Sequence, residues 1–237
     1  MCSGAGAGQC VALLTVCAIS ERGLSVAINQ KLSTERPKAH EREILDRGGQ
    51  AVRFQADLSD AAAARELPAQ VAHRFGRLDV LVNSAGIMRR ATVEETTPEL
   101  WDEVMNVNLR AYFFCAQGAL PALRATEGRI INIADLGGLE PWPGYIAHSI
   151  SKSGVVMLTR TLALALAPGI TVNGIAPGAV LPPDDWPEEA RDHLIRTTPL
   201  ARLGSPTDVA GAMLFLLEGG DYLTGQTIVV DGGRMIR

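Results

Sequence analysis

Short apolar runs along this chain alternate with longer segments whose apolar residues recur at helical spacing. The runs predicted as buried strands are residues 25–29, 51–55, 78–83, 129–133, 171–175 and 227–230. The segments predicted as helices are residues 61–75, 98–120, 151–167 and 206–217. Because strands separated by helices form right-handed crossovers, the pattern predicts an α/β fold with a doubly wound, mostly parallel sheet and helices on both faces.

The chain is predicted to be one domain, residues 1–237, because a doubly wound sheet commonly uses this length for a single core. Hydrophobic residues make up 47% of the sequence and aromatic residues only 5%, which suits close packing of helices on a parallel sheet. Residues 182–187 are rich in Pro and Asp. We predict that they begin a surface loop over the functional site.

Charge and cysteine usage narrow the classes of partner. A formal net charge of −4 provides no basic field for nucleic acid or an anionic membrane, so a small-molecule substrate is predicted. The four cysteines lack metal-binding spacing, and no metal site is predicted. The apolar stretch 10–19 is too short to span a bilayer. These features favour a reduced, cytoplasmic protein.

Candidate functional residues follow the predicted strands, where open parallel sheets bind ligands. They include Asn83-Ser84-Ala85-Gly86 after one strand and Pro177-Gly178 after another. Val107-Asn108-Leu109 and the segments 223–226 and 230–233 complete the series. In order and spacing these motifs resemble those of the short-chain dehydrogenase/reductase family, over nearly the whole chain.

The resemblance implies a Rossmann-like fold and a nicotinamide cofactor. Asp57, with Leu58, would contact the adenine, and Asn83, Ala85 and Gly86 would line the cofactor. Asn108 would support a proton-relay water. Pro177, Gly178 and Val180 would lie against the nicotinamide.

The glycine-rich segment near the start allows two alignments. In the first, Ser3, Gly4 and Gly8 begin a pyrophosphate-binding loop, and Cys10 replaces the last glycine of the family pattern. A side chain at Cys10 would crowd the close approach of helix and strand that the loop requires. In the second, residues 11–15 form the first strand, and the phosphate loop is missing.

The cofactor predicted is NADP(H), with no cofactor as the alternative. No acidic residue follows the strand at 25–29 to hold a ribose 2′-hydroxyl. Lys31 and Arg36 occur there instead, and a cation suits a 2′-phosphate.

The chemical centre departs from the family pattern of Ser, Tyr and Lys. Lys152 matches the lysine, but His148 stands where the tyrosine is expected and Asp135 where the serine is. The Asp135-Leu136-Gly137-Gly138 segment resembles pteridine-reductase-like members of the family. An imidazole with a reference pKa of about 6.5 suits acid-base work at neutral pH, and a nearby carboxylate favours its charged form.

Three functions remain open. The first is an NADP(H)-dependent carbonyl or imine reductase with His148 as proton donor, supported by Asp135, Lys152 and Asn108. The second is a non-redox acid/base enzyme, such as a cyclase, isomerase or lyase. The third is a catalytically silent partner of an active family member.

Two further expectations concern the segment around Lys152. Tyr145 shares a helical face with His148 and Lys152 if the helix begins that early, but the Pro143-Gly144 turn argues against it. A homodimer or homotetramer is predicted. The helix after Lys152 is considered as a contact surface, either for an active family member or for a second copy of the chain. The apolar positions considered for this contact are Val155, Val156, Leu158, Leu162 and Leu166.

Overall fold

The fold was analysed in a computed structural model that describes residues 25–31, 41–42, 44–46, 48–180 and 187–237. The strands are β1 (Ser25–Gln30), β2 (Gln50–Gln55), β3 (Val80–Asn83), β4 (Arg129–Ile133), β5 (Thr171–Pro177) and β6 (Thr227–Val230). The helices are α1 (Ala61–Phe75), α2 (Pro98–Met105), α3 (Ala111–Thr126), α4 (Ile146–Leu166), α5 (Glu188–Thr197) and α6 (Pro206–Glu218). All six predicted strands are present, and every strand pair is parallel.

The described strands fall into two sheets, β1-β2 and β3-β4-β5-β6. Alternate residues of β4 face opposite sides of the larger sheet, as the pleat of a strand requires. Ile130 packs in a core with α1, α3 and α4, whereas Ile131 packs in a second core against α6. Helices therefore cover both faces, and the predicted α/β class is confirmed.

Two helices differ in extent from the sequence prediction. The helix expected over residues 98–120 consists of α2, one turn of π-helix at Asn106–Arg110, and α3. The helix expected to begin at residue 151 begins at Ile146. Its first turn is buried through Ala147 and His148, which give a weaker apolar signal than the later turns.

Among the described residues, α5 is a helix that the sequence pattern did not predict. Residues 182–187 were predicted to begin a surface loop over the site. Residues 182–186 lie outside the described residues, and α5 begins directly after residue 187. Leu194 is the one residue of α5 that is buried, so the segment has little of the apolar periodicity that predicts a helix. Within the described ranges, no helix is long and apolar enough to cross a membrane.

Candidate active site

The candidate site lies beyond the carboxyl ends of β3, β4 and β5. These three strands run parallel as neighbours, with Asn83 opposite Asn132 and Ile133 opposite Ile175. The segments that follow the strands therefore emerge at one edge of the sheet. That edge is where doubly wound folds bind their ligands.

The start of α4 is held against the segment that follows β3. The backbone N–H of Ala91 donates to the carbonyl of Gly144 over 3.1 Å. A turn precedes the helix, in which the N–H of Tyr145 donates to the carbonyl of Trp142 over 2.9 Å. Tyr145 thus stands just outside the helix, as its Pro143-Gly144 neighbours suggested. His148 lies in the first turn of α4, close to this contact.

Asn108 fixes the orientation of several groups in the site. Its side chain is fully buried in the π-helical turn, a feature often found at functional sites. Its Oδ1 accepts from the N–H of Ile87 over 2.8 Å, which settles which end of the amide is oxygen. Its Nδ2 then donates to the carbonyl of Ile87 over 2.9 Å and to Oγ of Ser151 over 3.0 Å. Both protons of the amide are therefore engaged.

His148 is buried, with 5% of its surface exposed, and its two ring nitrogens have different neighbours. Nδ1 lies 3.3 Å from the carbonyl of Ile87 and 3.5 Å from Nδ2 of Asn108. Since the amide protons of Asn108 are used elsewhere, the carbonyl is the partner that fits, and Nδ1 is its donor. Nε2 is buried and has no hydrogen-bond partner in the part of the chain that the structure describes.

Asp135 lies beside the unpartnered nitrogen of His148. Its Oδ1 is 3.5 Å from Nε2, within ion-pair distance but not aligned as a hydrogen bond. The same oxygen accepts from the N–H of Gly137 over 2.7 Å and so caps a short 3₁₀ turn, Leu136–Gly138. The structure thus brings together two residues that lie thirteen positions apart in the sequence.

The 3₁₀ turn can approach α4 closely because Gly138 has no side chain. A Cβ added there would lie 2.6 Å from the backbone carbon of Lys152. The hydroxyl of Ser153 donates to the carbonyl of Gly138 over 2.9 Å and ties the two segments together. This packing places Asp135 next to His148.

Lys152 is buried on the inner side of the site, with 5% of its surface exposed. Its Nζ donates to the carbonyl of Ile133 over 2.7 Å and lies 3.5 Å from the hydroxyl of Tyr112. Burial lowers the pKa of Lys152 to about 8, because a charged ammonium loses hydration there, and the nearby Asp135 carboxylate offsets part of that effect. The group is therefore poised between its charged and neutral forms near physiological pH.

Several residues predicted to bind the cofactor have internal roles in the fold. The Nδ2 of Asn83 donates to Oδ1 of Asn132 over 2.9 Å and ties β3 to β4. Leu58, Ala85 and Val180 are buried in the hydrophobic cores. Any contact of these four residues with a cofactor would come from their backbone, because their side chains are already packed.

Other predicted cofactor residues lie at the open edge of the sheet. Gly86 leaves space beside Lys152 and Asn108, since an added Cβ would lie 3.6 Å from both Nζ and Oδ1. Pro177 ends β5, and the N–H of Gly178 donates to the carbonyl of Val230 over 2.9 Å. Ser3, Gly4, Gly8, Cys10 and Arg36 lie outside the described residues.

Lys31 has a partner that the sequence did not indicate. Its Nζ lies 2.9 Å from Oδ2 of Asp57, and both side chains are about half exposed. Burial alone would raise the pKa of Asp57, but hydrogen bonds from Ser59 and Lys31 outweigh it, and the pKa is lowered. Lys31, which was expected to bind a 2′-phosphate, is thus paired with Asp57, which was expected to contact the adenine.

Three residues of the site were not identified from the sequence. Ser151 accepts from Asn108 and donates to the carbonyl of His148 over 2.7 Å. The ring of Tyr112 lies under Lys152, with 5.4 Å from Nζ to its centroid. The indole of Trp142 stacks on the imidazole of His148. No local pattern signals these contacts, because each joins segments that are distant in sequence or precede a helix.

A parallel α/β sheet with buried acid-base groups at its carboxyl edge defines a dinucleotide-type enzyme class. A protein-family model described as "Enoyl-(Acyl carrier protein) reductase" matches residues 4–234. The 3-oxoacyl-[acyl-carrier-protein] reductase FabG of Staphylococcus aureus is 38% identical over 233 residues, covering 96% of this chain and 93% of its own length.

Two further relatives agree with that match. The (2S)-[(R)-hydroxy(phenyl)methyl]succinyl-CoA dehydrogenase subunit BbsD of Thauera aromatica is 36% identical over 242 residues, covering 99% of this chain and 94% of its own. A short-chain dehydrogenase/reductase structure from Serratia marcescens superimposes with a TM-score of 0.88 at 32% identity, covering 98% of this chain and 96% of its own. The chain belongs to the short-chain dehydrogenase/reductase family of oxidoreductases.

The family implies a nicotinamide cofactor, and the residues at the sheet edge fit its nicotinamide half. The space beside Gly86 opens onto Lys152 and Asn108. Among the described residues, the buried Nε2 of His148 has no hydrogen-bond partner. Lys152, Gly86 and the backbone of Pro177 and Gly178 are the groups that would hold the nicotinamide and its ribose.

Proposed function

We propose that this protein is an NADP(H)-dependent carbonyl reductase in which His148 delivers the proton to the substrate oxygen. The observation that supports it is the convergence of three groups at the carboxyl edge of the sheet. His148 is buried with Nε2 unpartnered, Asp135 lies 3.5 Å from that nitrogen, and Lys152 lies one helical turn further along α4.

His148 has to transfer one proton, from one ring nitrogen, for the reaction to be complete. The nicotinamide, when bound, supplies a hydride to the carbonyl carbon, and the carbonyl oxygen then needs one proton to become an alcohol. Because Nδ1–H is engaged with the carbonyl of Ile87, the ring can give up a proton only at Nε2. Asp135 is the carboxylate that pairs with the ring while Nε2 carries its proton.

The names of two relatives support one substrate class. FabG is named for reducing 3-oxoacyl groups on acyl carrier protein, and BbsD belongs to a dehydrogenase of a coenzyme A thioester. We therefore propose a 3-oxoacyl thioester as the substrate. A model substrate, acetoacetyl-CoA, tests this directly.

The experiment follows the absorbance of NADPH or NADH during incubation of the purified protein with acetoacetyl-CoA. We expect oxidation of the reduced cofactor and one equivalent of 3-hydroxyacyl product per cofactor consumed. The control is His148→Gln, which keeps a polar side chain but cannot deliver the proton. If the parent protein consumes neither cofactor with any 3-oxo compound, the proposal is wrong.

The preference for NADP(H) depends on Lys31 and its ion pair with Asp57. In Asp57→Asn, Lys31 loses its competing partner and a repulsive charge disappears, so the affinity for NADPH should rise relative to NADH. Exposed ion pairs of this kind contribute little, and we expect a change of up to about fivefold. Lys31→Ala should lower the ratio instead. Fluorescence titration with NADPH and NADH measures the ratio of the two affinities. Equal affinities of the parent protein for NADPH and NADH would contradict the preference.

A non-redox acid/base enzyme is the second candidate. It is favoured by one observation, an imidazole beside a carboxylate at the position of the family's phenol. Such an enzyme would convert its substrate without net change in the cofactor. Product formation at constant NADPH absorbance would favour this candidate over the reductase.

A further inference from the structure

Trp142 contacts His148 but has no role in the proton transfer proposed for that histidine. The two rings are nearly parallel, at 11° between their planes, with centroids 6.1 Å apart. Aromatic rings favour such offset stacking over a direct sandwich. The indole therefore lies parallel to the imidazole and offset from it.

The indole is itself held in place by three neighbours. Its Nε1 donates to Oε1 of Glu140 over 2.9 Å, and its ring meets Tyr145 edge to face at 6.2 Å. Gly137 leaves room for it, because a Cβ added there would lie 2.9 Å from Cε3 of the indole. The segment between the 3₁₀ turn and α4 is thus built around this side chain.

The remaining contacts of His148 leave its ring plane open to rotation. Nδ1 has one suitable acceptor, the carbonyl of Ile87, and a single hydrogen bond does not stop the ring from tilting about it. No hydrogen bond to Nε2 from the described residues prevents such a tilt. A flat surface parallel to the ring does prevent it, and the indole of Trp142 is that surface.

We propose that Trp142 is a positioning residue for His148. The stacked indole fixes the plane of the imidazole, so that Nε2 stays directed toward Asp135 and the substrate oxygen. The negative face of the indole also favours a ring that carries positive charge, which is the form that delivers the proton. This inference rests on the proposed function only for its kinetic consequence, since the contact itself can be tested without turnover.

The contact is tested by nuclear magnetic resonance of protein labelled at the histidine rings. The chain has four histidines, and His148→Gln identifies the signal of His148 by its loss. The ring current of a stacked indole should shift the ring protons of His148 upfield. In Trp142→Leu the signal should move downfield, and in Trp142→Phe, which keeps an aromatic face, it should move less. The control Tyr222→Leu removes a fully exposed aromatic ring and should leave it unchanged.

The positioning role is tested by kinetics of the same variants. Loss of a stacking contact should lower kcat of Trp142→Leu about 2- to 10-fold with little change in KM, and Trp142→Phe should recover most of it. Glu140→Ala removes the hydrogen bond that holds the indole but retains Trp142 itself. It should have a smaller effect in the same direction. Thermal unfolding of each variant, compared with the parent, separates this effect from loss of the fold.

The His148 signal tests the contact, and kcat tests the positioning role. An unchanged His148 signal in Trp142→Leu overturns the contact, and an unchanged kcat beside a shifted signal overturns the positioning role. If Trp142→Leu does not fold, Trp142→Phe and Glu140→Ala provide the same comparison. A parent protein that reduces no carbonyl compound refutes the proposed function instead, and the His148 signal still decides whether Trp142 orients the ring.

Discussion

His148 and Lys152 are both buried on α4, but their surroundings differ in kind. His148 keeps one nitrogen free of any hydrogen bond, whereas Nζ of Lys152 donates to the carbonyl of Ile133. A free, buried nitrogen beside a carboxylate suits a group that exchanges protons with a ligand. A buried lysine whose Nζ is hydrogen-bonded to the backbone suits a group that acts from a fixed place. The two residues can therefore be examined separately by substitution.

The first prediction concerns His148. His148→Ala should lower kcat by about 100-fold or more, because general acid catalysis contributes on that scale, while thermal unfolding stays close to that of the parent. His148→Tyr restores the family's phenol beside Lys152 and should keep NADPH-dependent carbonyl reduction. A parent-like rate in His148→Ala would show that the proton comes from another group.

The second prediction concerns the burial of Lys152. Its pKa is about 8 in the folded chain against an ordinary value of 10.5, so the unfolded chain binds more protons between these values and stability rises with pH there. Below pH 8 the full cost of burying the charge is present. Lys152→Met should therefore stabilise the protein at pH 7, by up to about 3 kcal/mol.

Urea unfolding of the parent and of Lys152→Met across this pH range measures the effect. The difference between the two proteins should shrink from about pH 8 to about pH 10.5, as the folded lysine becomes neutral. Tyr112 still donates to the carbonyl of Ile133 over 3.3 Å in the variant, so that oxygen keeps a partner. A difference that does not vary with pH would contradict the shifted pKa.

The elements that form the site meet at contacts between backbones. The 3₁₀ turn after β4 lies directly against α4, and the segment after β3 is hydrogen-bonded to the turn before α4. At such contacts no flexible side chain can move aside to make room for an added group. The distance between Asp135 and His148 is therefore set by how closely these elements approach.

The third prediction uses the glycine at this contact. Gly138→Ala places a methyl group 2.6 Å from the backbone of Lys152, so the turn must move away from α4. We expect a loss of about 1–3 kcal/mol in the free energy of unfolding and a lower kcat, because Asp135 moves with the turn. Gly169→Ala is the matched control, since its Cβ would meet nothing within 4 Å. Equal stability of the two variants would contradict the close packing.

Association of whole molecules is the remaining sequence-based expectation. The apolar residues considered for it point inward: Val155 and Val156 are buried, and Leu158, Leu162 and Leu166 pack against the same core. The structure corrects that choice, because the core of the subunit uses this face of α4. A different face carries Ile150, Met157 and Leu164, which are 44%, 57% and 85% exposed and lie seven residues apart.

The fourth prediction is that this second face of α4 packs against another copy of the chain. Leu164→Glu should then shift the protein to a smaller species in size-exclusion chromatography with light scattering. Val93→Glu changes an equally apolar residue, 72% exposed, and should leave the size unchanged. A parent protein that is monomeric at micromolar concentration would contradict the expectation.

Local patterns in the sequence were enough to predict the strands and the order of the site residues. Burial of parallel strands favours short apolar runs, and the six runs predicted on that basis all coincide with strands. Helical spacing put His148 and Lys152 one turn apart, and the motif order predicted the family that the comparisons confirm. These features depend only on neighbours along the chain, so the sequence by itself determined them.

Contacts between distant segments were decided only by the tertiary structure. The pairing of Lys31 with Asp57 and the position of Tyr112 under Lys152 join different parts of the fold. The stacking of Trp142 on His148 depends on the conformation of the turn before α4. Their spacing in the sequence carries no periodic signal. They exist because parallel strands bring their carboxyl ends to one edge of the sheet. Loops from distant parts of the sequence meet at that edge, and their contacts depend on complementary shape and charge.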